Sequence, residues 1–237
     1  MALKNILWIV TYLILASSSV AAPQWIQVSE ENGIEVSRRE FQGEGLYEFR
    51  GIGDVKSSIP KILALLVDVK RMPEWVDGCT ESQLLERFFP KHSEDLAGSY
   101  QVEYGVQSVP WPLTDRDYIL KSTLSFQLGN GKIQDQVFLK SVTVPHKAKP
   151  VVEDLVRITK MTTEIRLTRV SDHVTEMEFR ALVDPAGWIP DWIVNLVSRD
   201  VPYKTLEKVR AIMKDGQLDQ ELEAMLTKGY EQIKKSH

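Results

Sequence analysis

The sequence predicts an α+β domain in which a curved, largely antiparallel sheet grips helices on one face, and three observations predict it. Alternation of apolar and polar residues fills most of the stretch from Ser82 to Val183. The links between the later strands are too short for crossovers, so neighbours must run antiparallel. Two segments with helical apolar stripes, Pro60 to Val69 and the tail from Trp188 onward, are available to cover the apolar side of the sheet.

The first residues are a separate material. Lys4 supplies a short positive region, Ile6 to Leu15 is mostly apolar, and Ser17 to Ala22 is a run of small residues. The apolar stretch falls short of the roughly 20 residues that span a bilayer. The expectation is a secretory signal over residues 1–21, cut after Ala21, and an exported protein of the periplasm or extracellular space. One domain then occupies 22–213, and 214–237 is a C-terminal helical extension.

Trp25 to Val28 reads as a short entry helix. Ile34 to Phe41 and Leu46 to Gly53 follow as strands, the second with Tyr47, Phe49 and Gly51 on one face and Glu48 and Arg50 on the other. Ser57, Ser58 and Pro60 open a helix striped by Ile62, Leu63, Leu66 and Val67, which Pro73 ends. Further strands are Leu84 to Phe89, Ser99 to Val109, Tyr118 to Leu128, Ile133 to Val144, Thr163 to Val170 and Val174 to Asp184. Asn130-Gly131 is a two-residue hairpin signal. The apolar phase is Tyr100, Val102, Tyr104 and Val106 in one strand, and Tyr118, Leu120, Leu124 and Phe126 in the next. One apolar face per strand predicts a sheet solvated on its other side. After the breakers Asp184 to Gly187, residues Ile189, Trp192, Ile193, Leu196 and Val197 fall at helical spacing. Pro202 kinks or restarts that helix, and Leu218 to Ile233 forms a weaker last one.

Composition excludes several classes. With 43% hydrophobic and 26% charged residues the chain is an ordinary globular one. A formal charge of −4 with no dense run of Lys and Arg argues against nucleic acid and against a basic membrane-docking patch. Cys79 is the only cysteine, so no intramolecular disulfide forms and the core alone must hold the domain. Catalytic motifs are missing: there is no G-x-S-x-G, H-E-x-x-H or P-loop, and the four histidines (His92, His146, His173, His237) lack metal-ligand spacing. No catalytic residue, metal or cofactor is assigned.

Four segments carry a family resemblance. Val109-Pro110-Trp111-Pro112-Leu113-Thr114-Asp115-Arg116-Asp117-Tyr118 closely resembles the P-W-P-L-[ST]-x-R-D-[YF] signature of START lipid-transfer domains. Asp68, Arg71 and Pro73-Glu74-Trp75 look like the family's first-helix exit, and Val156 to Lys160 stands where bacterial exported members have it. Asp184 to Asn195 resembles the entry to the family's lid helix. The resemblance spans about residues 25–213. It implies a helix-grip fold: a curved antiparallel sheet around a long C-terminal lid helix, an internal apolar cavity, and shuttling or sensing of one hydrophobic ligand without chemistry. A helix-grip enzyme of cyclase or hydrolase type is the alternative.

The resemblance makes a cavity lining of residues that are otherwise core: Tyr100, Val102, Tyr104, Tyr118, Leu120, Val137, Leu139, Phe179, Trp188, Trp192, Ile193 and Leu196. Pro185, Gly187 and Pro190 are hinge chemistry before the lid, and Trp188 and Trp192 suit transient contact with a membrane surface. Glu103 is a further candidate for the lining: it falls where sterol-binding relatives place a buried acid, but the matching Arg is here Ser122, and alternation puts Glu103 on the more polar face unless a bulge intervenes. Arg116 and Arg157 either bind a headgroup or fix a loop. Trp111 between Pro110 and Pro112 reads as a structural corner.

Overall fold

The computed structural model describes residues 24–41, 46–89, 96–129, 134–184, 186 and 191–235, with the backbone alone for 191–199. The signal segment, the Asn130-Gly131 turn, Pro185, Gly187, Trp188 and Pro190 lie outside the described residues.

The chain opens with β1 (Ile26–Glu31) rather than a helix. Asn32 and Gly33 both have positive φ, 52° and 65°, the backbone of a two-residue hairpin turn, and β1 folds back on β2 (Ile34–Phe41). That turn, four residues past the supposed helix, decides the conformation of Trp25 to Val28. After β3 (Leu46–Val55) comes α1 (Ile59–Val67), with Pro60 in its first turn where no N–H partner is needed. A 3-10 turn (Val69–Arg71) and the single-turn α2 (Met72–Trp75) lead into β4 (Cys79–Phe88). The strands β5 (Tyr100–Gln107), β6 (Arg116–Gln127), β7 (Gln136–Thr143), β8 (Val156–Arg157), β9 (Lys160–Ser171) and β10 (Val174–Asp184) follow. Two helices close the chain, α3 (Asp191–Asp215) and α4 (Gln220–Lys235).

The main path of the sheet is β1-β2-β3-β10-β9-β7-β6-β5-β4, and its successive pairs are antiparallel. Only β8 departs, lying parallel to the start of β6. Helices α1, α2 and α3 cover the inner face. Pro202 does not interrupt α3, which is helical from 191 to 215. Its ring sits on Gly51 of β3, where a Cβ would come within 2.9 Å of Pro202 Cβ, so the glycine permits the close crossing of helix and sheet.

The C-terminal half of α3 is fastened. Arg210 donates to the carbonyls of Asp54 (2.7 Å), Asn32 (2.7 Å) and Gly33 (3.0 Å), and Lys208 donates to Asp77 (2.7 Å). Leu206 and Val209 are fully buried between these anchors. Helix α4 packs on α1 through Leu226, Tyr230 and Ile233, and Tyr230 donates to Asp135 (3.0 Å).

The outer face is not wholly solvated. Val102, Tyr104, Val106 and Ile119 form a second, smaller core there with Leu85, Val144 and Leu155. The segment from Val144 to Arg157 straps across it. Arg157 holds the strap down through two bonds to Asp117 (2.8 and 2.7 Å) and further bonds to the carbonyls of Lys149 and Pro150.

Candidate functional site

An internal cavity lies between the inner face of the sheet and the helices. Leu66 of α1, Met72 and Trp75 of α2, Val76 and Thr205 of α3 form its roof; β5, β6, β7, β9 and β10 form its floor. The reason for the space is legible in the strand register. Ala181, Thr163, Ser141 and Ser122 stand directly opposite one another across β10, β9, β7 and β6, and Gln101 of β5 continues the row. All but the last have short side chains. The neighbouring row, Phe179, Ile165, Leu139 and Leu124, is large and apolar. A row of small residues between bulky ones leaves a trough that the helices roof over.

The trough is also polar. Ser122 donates to Glu103 and shares a 2.7 Å hydrogen bond with Ser141. Glu103 is 5% exposed, and its second oxygen, Oε2, is buried without a hydrogen-bond partner among the described residues. Burial pushes its carboxyl up to about 7, against the opposing effects of the Ser122 and Gln101 hydrogen bonds and the nearby Arg87 charge. Arg87 itself is engaged by Gln101 (3.0 Å) and the Val67 carbonyl. In the roof, the indole Nε1 of Trp75 is likewise buried and has no partner among the described residues. One acceptor and one donor, both desolvated, thus belong to residues lining the same cavity. Beside them, burial pushes the Tyr118 hydroxyl well above its ordinary range. Gly105 lies against the Tyr118 ring, where a Cβ would be 2.6 Å from it.

The expected lining divides accordingly. Glu103, Tyr118, Leu120, Leu139 and Phe179 line the cavity, and Val137 is buried in the surrounding core. Val102 and Tyr104 turn away, into the outer cluster beneath the strap, and Tyr100 lies on the same outer face. There its ring stacks on Phe88 and its hydroxyl donates to Glu86 (2.6 Å). The correction has a physical cause. Both faces of β5 are covered, so its apolar phase faces the strap and its polar phase, with Glu103, faces the helices. No register shift separates β5 from β6. Trp192, Ile193 and Leu196 lie on the described backbone of α3, with side chains outside the described set.

Arg116 and Arg157 are engaged within the protein. Arg157 holds Asp117, and Arg116, 4% exposed, donates to the Thr114 carbonyl; both fix loops. Trp111 does not pack as a corner residue: it is 89% exposed. Sequence reasoning missed Trp75, Ser141, Thr163 and Thr205 as lining. A signal was present, since serine or threonine interrupts the apolar phase of β6, β7 and β9 at Ser122, Ser141 and Thr163.

The family model for the START domain matches residues 11–217. The chain belongs to the START domain family. An uncharacterised protein from Pseudomonas aeruginosa is 27% identical over 195 residues, covering 82% of this chain and 89% of its own length. The phosphatidylcholine transfer protein of Rattus norvegicus is 22% identical over 200 residues, covering 83% and 87%. Among solved structures, the STAR-related lipid transfer protein fragment of Xanthomonas axonopodis superposes with a TM-score of 0.66 at 23% identity, covering 81% of this chain and 99% of its own. Human StAR-related lipid transfer protein 5 gives 0.63 at 15%, covering 80% and 86%. These structures share the helix-grip START fold, a curved antiparallel sheet with C-terminal helices.

Proposed function

We propose that this START protein binds one hydrophobic ligand, a lipid, in the trough and transfers or senses it without altering it. The observation that carries this reading is the pair of buried polar atoms without a partner among the described residues, Glu103 Oε2 and Trp75 Nε1, at the wall of an otherwise largely apolar cavity. Left alone, each costs about 1–3 kcal/mol; a ligand group that accepts from one and donates to the other removes both costs. A hydroxyl or an amide has that character. No Lys or Arg stands among the described lining residues, so a phosphate buried there would find no cation at the cavity wall. In this the proposed ligand differs from the phosphatidylcholine that names the rat relative.

The apolar part supplies affinity, about 0.8 kcal/mol per CH₂ removed from water. A bilayer offers nearly the same, so loading and release stay near balance and the polar pair sets selectivity. The cavity measures about 60 Å³, against roughly 300–1,000 Å³ for ordinary ligand pockets, so entry requires a wall to move. Anchors at Thr205, Lys208 and Arg210 favour the segment before Pro202 as that lid. Loading entails transient contact with a membrane, and residues 1–21 support export to the periplasm or beyond.

A helix-grip enzyme is the second reading, favoured by Glu103 titrating near 7 beside Ser122 and Ser141. Native mass spectrometry of protein purified from its own host separates the two. A bound neutral lipid carrying a hydroxyl or amide supports the carrier. Consistently empty protein that turns over a substrate overturns it.

A further inference from the structure

The match to the family model ends at residue 217, and α4 follows it. Its sequence makes it a helix that needs a partner. Leu222, Leu226, Gly229, Tyr230 and Ile233 fall at helical spacing, one apolar stripe on a helix otherwise rich in Glu and Lys. Asp219 starts it: a carboxylate oxygen accepts from the N–H groups of Glu221 and Leu222 (3.0 Å each), and its carbonyl accepts from the N–H of Glu223 (2.9 Å). The stripe is laid on α1, which buries Leu226, Tyr230 and Ile233.

Helix α1 lies between this stripe and the cavity. Ile59, Pro60 and every residue from Ile62 to Val67 are buried, so apart from Lys61 the helix is covered all round rather than along one sheet-facing stripe. Leu66 lines the cavity. No residue of α4 stands among the described lining residues, and α4 packs on the rest of the α1 surface. The far end of α4 is tied to the sheet just ahead of β7. There Tyr230 donates to Asp135 (3.0 Å), and Lys234 stands 4.0 Å from the same carboxylate.

The link between α3 and α4 holds a second roof helix. Arg71 donates from one nitrogen to the Gln217 carbonyl (2.8 Å) and from two others to Glu74 (2.9 and 2.6 Å). Arg71 precedes Met72 and Glu74 precedes Trp75, and Met72 and Trp75 are the cavity-lining residues of α2. One guanidinium therefore fastens both ends of this single turn to the chain at Gln217. A four-residue helix does not persist without such contacts. Leu66 and Trp75 are each held from behind by the segment 217–235.

We infer that residues 217–235 are a brace that positions Leu66 and Trp75, and so sets how fast and how selectively the cavity releases its ligand. The inference rests on the lipid-carrier reading: the lid moves, and the brace keeps the remaining roof still. The test uses the full purified chain loaded with a fluorescent fatty-alcohol probe or an alkane probe of equal length. Arg71→Met breaks the hold on Gln217, Leu226→Asp undocks α4, and Lys228→Ala, on the exposed side of α4, is the control. With cooperative unfolding retained, Arg71→Met is expected to release the alcohol about tenfold faster, the worth of one charge-assisted hydrogen bond, and to narrow the preference for alcohol over alkane. Leu226→Asp is expected to raise amide exchange across 59–67 while β9 and β10 stay protected, with release faster still. Parental release and preference in folded Arg71→Met overturn the brace, whether or not Leu226→Asp folds. So does equal acceleration by Lys228→Ala, or amide exchange that rises alike in α1 and the sheet. Parent that takes up neither probe sinks the carrier reading, and amide exchange then decides the brace alone.

Discussion

Ser122 donates its hydroxyl proton to Glu103 on the inner face of the sheet, and Glu103 is left with one buried oxygen that nothing in the described protein satisfies. The carboxyl is thereby held in the cavity, half-satisfied, under the helical roof. Its electrostatics, the shape of the trough and the placement of the strap all have measurable consequences.

The Glu103 carboxyl makes stability depend on pH. Below about 4.5 it is protonated in both states, and the folded chain has its full stability. As pH rises toward 7 the unfolded chain ionises while the folded one keeps its proton, so stability falls; above about 7 the fall levels off. The displacement from 4.5 to about 7 corresponds to about 3 kcal/mol. Urea unfolding of ligand-free wild type and Glu103→Gln across this window should show the wild type losing that amount relative to the variant. Parallel pH curves would refute a buried, neutral Glu103.

Filling the trough should abolish uptake while sparing the fold. Ser141→Leu puts a branched side chain into the row of short residues between Thr163 and Ser122. Overpacking of this kind costs about 1–3 kcal/mol, so the variant remains folded by circular dichroism. Probe uptake is expected to drop at least tenfold; uptake at the parental level would mean the ligand sits elsewhere.

Trp75→Phe removes the unpartnered indole donor and keeps most of the aromatic packing. Affinity for a hydroxyl- or amide-bearing lipid should weaken by about 1–2 kcal/mol, roughly tenfold, while an alkane probe of equal length binds as before. Equal losses for both probes would assign Trp75 to packing alone.

The strap depends on one charge pair. Asp117 has a side chain only 2% exposed, and Arg157 grips it with two bonds. Arg157→Ala leaves that carboxylate buried and unpaired, at a cost of about 3 kcal/mol in thermal unfolding. Arg157→Lys recovers part of it, because an ammonium cannot reproduce the two-pronged contact. A loss under about half a kcal/mol for Arg157→Ala would show that water reaches Asp117.

Much of this architecture was legible along the chain. Alternation located β3, β6, β9 and β10, the proline at position 60 marked the start of α1, and the stripes of the tail identified α3 and α4. Local rules suffice there because strand and helix periodicities are properties of neighbouring residues. The entry helix expected at Trp25 to Val28 failed for a comparable reason: the Asn32-Gly33 turn that turns it into a strand was overlooked.

The candidate site was legible only in part. Tyr118, Leu120, Leu139 and Phe179 follow from an apolar phase that does face the helices. In β5 the same reasoning put Val102 and Tyr104 inside and left Glu103 open between cavity and polar face; the structure turns Val102 and Tyr104 outward and lines the cavity with Glu103.

By itself, then, the sequence determined most of the strands, the main helices and which residues of each strand share a face, since a period of two or 3.6 is set by backbone geometry. Which face of β5 meets the cavity was decided only by tertiary structure. A strap some 40 residues downstream buries the apolar side of that strand, and four short residues on four strands align only once the register is made.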